Sequence, residues 1–333
     1  MGYPYKKFFI MLVWLVFVIP GFIYLTTFGW RPSDRKQIKM TRDEEAVSIR
    51  LRNFVNILAE EIGVRNHANY DNLEDASSFI YQSFAELGYP VQVMSYKIDG
   101  KVYKNLIAVK QGVTYPGEII IIGAHYDSCY NPGADDNASG VAGLLELARQ
   151  FKNSRLNHTV KFIAFVNEEP PFFHTVNMGS YVYTRQAKAK EERIKGSVIL
   201  EMIGYYSQDL FSQRYLPFLG PFYPNQANFI SIVGNLRSRH IANFLYRGFR
   251  QKSDFPIEKV ISPEFVPGIY YSDHWSFWKM GYPAVMVTDT AFLRNRHYHR
   301  QSDKAETLNF DNMTKVVYGL KEAILNLDRE LVD

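Results

Sequence analysis

The stretch GAHYDSCYNPGADDNASG, residues 123–140, gathers one histidine and three aspartates at spacings suited to holding a cation. His125 and Asp127 stand two apart, so on an extended backbone their side chains leave on the same side. An aspartate placed this way holds one imidazole nitrogen while the other faces a metal. Asp136 closes an acidic loop, and Ala138-Ser139-Gly140 after it are small enough to let the backbone fold tightly around an ion. The same residues fit a plainer role, because Asp136 or Asn137 also makes a good N-cap for a helix beginning near Ser139.

Further acids recur at the ends of apolar runs. Glu168-Glu169 follow the run Thr159 to Val166 and precede Pro170-Pro171, which confines them to a short loop. Neighbouring side chains diverge, so one acid can bind a metal while the other faces the water being activated. A solvated turn is the plainer reading of such a pair. Glu201 sits inside Ile199-Leu200-Glu201-Met202-Ile203, where a carboxylate is costly without a partner. His297 and His299 both offer a ring nitrogen, whereas His67, His158 and His240 read as bystanders. Two histidines and three carboxylates with one shared aspartate suit a pair of borderline-soft divalent ions, zinc foremost. Glu168 is then left to act as a base.

The elements that position these residues alternate. Helices are expected from Asp43 to Ile62, Asn72 to Leu87, Ser139 to Lys152, Gly179 to Glu192, Arg237 to Gln251 and Asn312 to Leu327. Strands are expected at 91–98, 102–110, 118–122, 159–166, 197–203, 229–233 and 283–287, the first two joined by an Asp99-Gly100 hairpin. This alternation predicts an α/β fold with a mostly parallel, mixed central sheet and helices on both faces. Chemistry then belongs at the carboxyl ends of the strands. Residues 209–228, rich in Phe, Tyr and Pro, read as an ordered loop beside a pocket.

Composition excludes some classes. Apolar content of 47% and charged content of 22% over 333 residues are those of a globular protein. A net charge of +4 without a basic, aromatic-interleaved block argues against nucleic acid as a partner. The single cysteine, Cys129, allows no intramolecular disulfide and reads as a small buried thiol.

Residues 8–30 carry no charge and follow Lys6-Lys7. As a helix this run spans a bilayer core of about 30 Å, so it predicts one uncleaved transmembrane anchor in contact with membrane lipid. The expected organisation is an anchor over 1–30, a juxtamembrane segment and first helix over 31–60, and a catalytic domain over 61–333. Lys6 and Lys7 favour a cytoplasmic N-terminus, and Arg31, Arg35, Lys36, Lys39 and Arg42 pull the other way. The expectation is a single-pass protein of the cell membrane with its catalytic domain outside the cytoplasm.

Six segments in order, GAHYDS, GADDNASG, NEEP, LEMIG, SDHWSFW and HYHRQSD, resemble the co-catalytic zinc exopeptidases of the bacterial leucyl aminopeptidase type. Glutamate carboxypeptidases and glutaminyl cyclases are relatives of that family. The resemblance implies two zinc ions per chain: His125 and Glu201 hold one, Glu169 and His299 the other, and Asp136 bridges them. It further implies Glu168 as general base, Asp127 as the partner that orients His125, and a similar supporting part for Asp303. Asp273 and His274 fall in a motif that the resemblance places near the pocket, with a part in substrate or oxyanion binding expected for them and for the neighbouring Tyr271, and the Asp136–Asn137 peptide is expected to be cis. Peptide hydrolysis from the amino end is the implied activity. A one-zinc cyclising acyltransferase, a carboxypeptidase and a non-catalytic binding module are the alternatives. Glu201 departs from the aspartate usual in the family's aminopeptidases, and Arg300 and Lys304 stand where threonines are common.

Overall fold

The computed structural model describes residues 40–215, 220 and 223–332. Its centre is one eight-stranded sheet in the order β1-β2-β4-β3-β5-β8-β6-β7. The strands are β1 (Val91–Ile98), β2 (Lys101–Lys110), β3 (Tyr115–His125), β4 (His158–Phe165), β5 (Arg193–Glu201), β6 (Ile230–Gly234), β7 (Ile257–Ile261) and β8 (Ala284–Thr288). The central strands β4, β3, β5 and β8 run parallel. The β1–β2 hairpin joins β4 antiparallel, and β6, itself parallel to β7, joins β8 antiparallel.

The isoleucine run of β3 explains how the layers close. Ile120 and Ile122 enter a core with Val160, Phe162 and Val198. Helices α1 (Arg42–Asn56), α2 (Tyr70–Glu86), α3 (Gly140–Phe151), α5 (Arg239–Lys252) and α7 (Phe310–Glu330) cover that core. Ile119 and Ile121 point the other way, into a second core with Ile163, Phe165 and Ile199 beneath α4 (Gly179–Ala189) and α6 (His274–Lys279). A strand buried on both faces has no polar side to show, hence an unbroken apolar run. Each such isoleucine contributes about 1.5–3 kcal/mol by leaving water.

Helix α1 starts at a capping box in which Thr41 and Glu44 satisfy each other's backbone N–H groups. It sends Val47, Leu51 and Val55 into the main core. The sequence reading lacks β7, a five-residue strand with Glu258 and Lys259 at its middle. Its pairing with β6, rather than its own periodicity, makes it a strand. Among the described residues no helix is long and apolar enough to cross a membrane. The anchor expected over residues 8–30 lies outside the described residues.

Register brings the chemistry together. Gly123 of β3 pairs with Ile199 of β5, so His125 and Glu201, each two residues on, reach the end of the sheet side by side. His125 pairs with Phe165 of β4, from which the chain runs directly to Glu168 and Glu169.

Candidate metal centre and active site

After His125 the chain turns back through a loop that one buried cation holds. Arg65, 0% exposed, donates from Nε to the Tyr126 carbonyl at 2.7 Å and from Nη2 to that of Gly133 at 2.8 Å. Its Nη1 serves the carbonyls of Pro132 at 2.5 Å and of Leu58 and Gly63 at 3.2 Å. Burial lowers its pKa to about 10, with Asp127, Asp303, Asp136 and Glu169 pulling upward, so it stays charged. Gly133 takes φ +62°, and a Cβ there would lie 2.3 Å from the Asp136 carbonyl oxygen, so the turn requires glycine.

The loop then delivers Asp136. Asp303 accepts the Asp135 N–H on Oδ1 at 2.9 Å and the Asp136 N–H on Oδ2 at 3.2 Å. The Asp136–Asn137 peptide is cis. Asn137 ties the loop to β5, donating to the Leu200 carbonyl at 2.8 Å and accepting the Met202 N–H at 3.0 Å. Asp135 accepts from Gly204 N–H at 2.9 Å and from Asn295 Nδ2 at 2.6 Å, facing away from the cluster.

Asp136 stands centrally. Its Oδ1 lies 3.4 Å from His125 Nε2, and its Oδ2 lies 3.1 Å from His299 Nε2. Glu201 Oε2 is 3.3 Å from His125 Nε2 and accepts the Ser272 hydroxyl at 2.7 Å. Glu169 Oε2 is 3.3 Å from His299 Nε2. Glu168 Oε2 stands 3.9 Å from His125 Nε2, outside these closer contacts. Three residues next to this chemistry take left-handed backbone without being glycine: Asn167 (φ 62°), Met202 (φ 50°) and His299 itself (φ 55°). Such strain collects at functional sites, where surrounding structure enforces it.

The cluster carries more negative field than its histidines offset. Burial raises the carboxyl pKa of Glu168 well above the usual range against the pull of His125, and burial likewise raises Glu201. Burial and the Asp136 charge push Glu169 to about 7. Burial opposes ionisation of Asp136 too, yet contacts with His125 and His299 outweigh it and hold that carboxyl below its usual range. For His125, burial works against the charged ring, but Glu201 and Glu168 prevail and raise its pKa well above normal.

These residues fit a metal. His125 Nε2 and Glu169 Oε1 are buried without a hydrogen-bond partner, the condition of atoms that need a cation. The donor atoms of His125, Asp136 and Glu201 lie within 4.8 Å of one another, and those of Cys129, Glu169 and His299 do likewise. Mixed imidazole and carboxylate donors of this kind suit zinc.

Other expected residues fall into place differently. The Asp127 carboxylate lies 3.6 Å from His125 Nδ1, beyond hydrogen-bond range; the ring nitrogen is 3.2 Å from the Asp127 carbonyl oxygen. The carboxylate instead accepts the N–H groups of Glu168 and Glu169 at 3.1 and 2.9 Å. Tyr271, 37% exposed, lines a pocket that opens from Glu201 between Phe229, Met286, Phe292 and Tyr298. Tyr215 and Tyr223, from the aromatic loop, also line it. Asp273 and His274 are fully buried and do not line it. His274 Nε2 lies 2.7 Å from the Ile269 carbonyl and its ring meets Trp278 edge-on, which fixes the turn carrying Tyr271. His297 pairs with the Ser302 hydroxyl at 2.9 Å, outside the metal-holding groups. Arg65 and Asn295 escape the sequence reading, as do the tie of Asn137 to β5 and the bond from Ser272 to Glu201. Asn137 and Ser272 belong to the GADDNASG and SDHWSFW segments, but Arg65 belongs to no motif.

This fold and donor set define a zinc-type metallopeptidase, and the chain belongs to peptidase family M28, whose profile matches residues 105–324. The chain is 38% identical over 286 residues to the uncharacterized protein YfbL of Escherichia coli (strain K12), covering 83% of this chain and 87% of that one. It is 29% identical over 248 residues to a probable leucine aminopeptidase of Trichophyton verrucosum (strain HKI 0517), covering 67% and 58%. Among solved structures, the zinc aminopeptidase BSAP from Bacillus subtilis superposes with a TM-score of 0.68 at 15% identity, covering 83% of this chain and 94% of that one. Glutaminyl cyclase from Fimbriiglobus ruber superposes with a TM-score of 0.62 at 18% identity, covering 89% and 99%. At those identities the likeness is one of fold.

Proposed function

We propose that this chain is a membrane-anchored aminopeptidase that carries two zinc ions and removes residues from the amino ends of peptides. The observation that carries the reading is Asp136, which turns one oxygen to His125 at 3.4 Å and the other to His299 at 3.1 Å. A carboxylate shared this way suits two ions, one with His125 and Glu201 and one with His299 and Glu169. Zinc held there supplies Lewis-acid polarisation of a carbonyl and lowers the pKa of water.

The chain's own groups do the rest. Glu168 is held by Asp127 through its backbone, while its carboxylate stays out of the closer contacts around the two histidines. It takes a proton from the attacking water and returns it to the leaving amine. Burial raises its pKa, which makes the carboxylate a stronger proton acceptor than an exposed one. The pocket of Tyr271, Phe229, Met286 and Phe292 receives the side chain of the terminal residue. Its aromatic and apolar walls favour large apolar side chains.

Assay of purified full-length protein, with metal analysis, tests this. Release of the terminal residue from aminoacyl anilides, with two zinc ions per chain, is the expected result. Ring closure of amino-terminal glutamine peptides with one zinc would replace it with a cyclase, and release only from carboxyl ends would reverse the direction.

A further inference from the structure

The second donor group contains an atom to which the family resemblance gives no role. Cys129, expected as a buried thiol, is only partly buried, and its Sγ lies within 4.8 Å of donor atoms of both Glu169 and His299. Its backbone is fixed on both sides. Ser128 N–H donates to the Arg65 carbonyl at 2.9 Å, and Asn66 Nδ2 donates to the carbonyls of Ser128 at 3.3 Å and Cys129 at 2.8 Å. A separate observation points to a ligand at the same place. Glu169, 3% exposed, keeps Oε1 without a hydrogen-bond partner. A buried carboxylate oxygen in that state calls for a cation.

We propose that Cys129 is a sulfur donor to the second metal position, completing a set with His299, Glu169 and Asp136. The proposal rests on the two-zinc reading above. With Cys129 the second position would have one nitrogen, two carboxylates and one sulfur to offer, whereas His125, Asp136 and Glu201 offer the first nitrogen and oxygen alone. A thiolate donor also turns the second position toward softer ions and away from magnesium or manganese.

Cobalt reports on this directly. The full-length protein is stripped with a chelator and reloaded stepwise with Co²⁺ while its absorption spectrum is followed. Cys129 is the single cysteine, so a near-ultraviolet thiolate-to-cobalt charge-transfer band can come from no other residue. The expected result is a band that grows with one of two equivalents and is missing in Cys129→Ser. Loss of a donor should weaken that equivalent by at least about tenfold, the lower bound for removing even an outer partner of a metal ligand. Visible d–d bands from the remaining position show that the variant is folded. Cobalt bound without the band, or equal affinity in Cys129→Ser, overturns the assignment. Zinc-loaded parent assayed on aminoacyl anilides keeps the two readings apart. Inactive protein that shows the band removes the peptidase reading alone, and active protein without it removes the sulfur donor alone.

Discussion

Asp127 grips Glu169 through the backbone, its Oδ2 accepting the Glu169 N–H at 2.9 Å, with Oδ1 accepting the adjacent Glu168 N–H at 3.1 Å. The residue two after His125, just past the end of one strand, thus fixes the start of the loop that follows the neighbouring strand. Both acids of that loop, the candidate base and a candidate ligand, take their position from this one carboxylate. The His125 ring is held by the Asp127 main chain at 3.2 Å.

Asp127→Asn follows from that arrangement. The amide keeps one acceptor but turns an NH₂ group toward the second N–H, so the Glu168-Glu169 loop shifts. Outer partners of this kind typically contribute about 10–100-fold to activity or metal affinity. The expected outcome is a fall of that size in kcat on a leucyl anilide, measured beside bound zinc. An unchanged kcat would show that the loop holds its shape without Asp127.

Glu168→Gln should act differently. Glu168 stands 3.9 Å from His125 Nε2, farther than Asp136 or Glu201, so it is not needed to hold metal. Removing a general base typically costs at least about 10²-fold in rate. Turnover is expected to fall by that factor with zinc content near the parent's. Joint loss of zinc and activity would make Glu168 a ligand.

Arg65 reaches the chemistry only through carbonyls. Arg65→Met leaves the Tyr126, Pro132 and Gly133 carbonyls without their donor, at about 1–3 kcal/mol for each that water cannot reach. Lower unfolding midpoints and weaker zinc retention are expected together. Arg65→Lys should rescue little, because an ammonium lacks the planar fork that serves several carbonyls at once. Full rescue by lysine would mean that charge alone matters there.

The anchor is tested by fractionation. The protein should sediment with membranes, and protease added to intact cells should digest the enzyme domain. A domain protected until lysis would place it on the cytoplasmic side. Residues 8–30 carry no charge, which is the basis of the prediction.

What was legible in the sequence follows from which signals are local. The run Ile119 to Ile122 announces a doubly buried central strand, and the acids after each apolar run announce the strand ends. Glu201 stood out because a carboxylate inside an apolar strand needs a partner. The β7 strand was not legible, since Glu258 and Lys259 hide it and only pairing with β6 makes it extended. The part played by Arg65 was equally hidden, because its acceptors lie both nearby, at Leu58 and Gly63, and more than sixty positions away, at Tyr126, Pro132 and Gly133. The preference of Asp127 for main-chain N–H groups over the His125 ring depends on where β4 ends beside β3, which spacing alone does not fix.

The metal-free protein should lose stability as pH rises through the neutral range. Burial, with help from the Asp136 charge, puts Glu169 at about 7 against a usual 4.5, and burial puts Asp273 at about 7 against 3.8. Asp303, raised chiefly by burial, reaches about 8. Between their usual values and these raised ones, the folded chain holds protons that the unfolded chain has released. Folding is therefore favoured at the acid end of this window and loses that advantage as pH climbs through about 7–8. The raised pKa of His125 acts with the same sign above 6.5; the lowered one of Asp136 opposes only below 3.8, and that of His274, lowered by burial to about 4, opposes between there and 6.5, one group against three. Zinc opposes the trend, because its binding displaces the protons on Glu169 and His125 and strengthens as they become easier to remove. Unfolding midpoints of chelator-treated protein should fall from pH 5 to pH 8, while the increment on adding zinc grows over the same interval. Glu169→Gln, which deletes one of the titrating groups, should flatten the metal-free slope. Metal-free midpoints that rise with pH, or a slope indifferent to Glu169→Gln, would show that these carboxylates already have cationic partners without zinc.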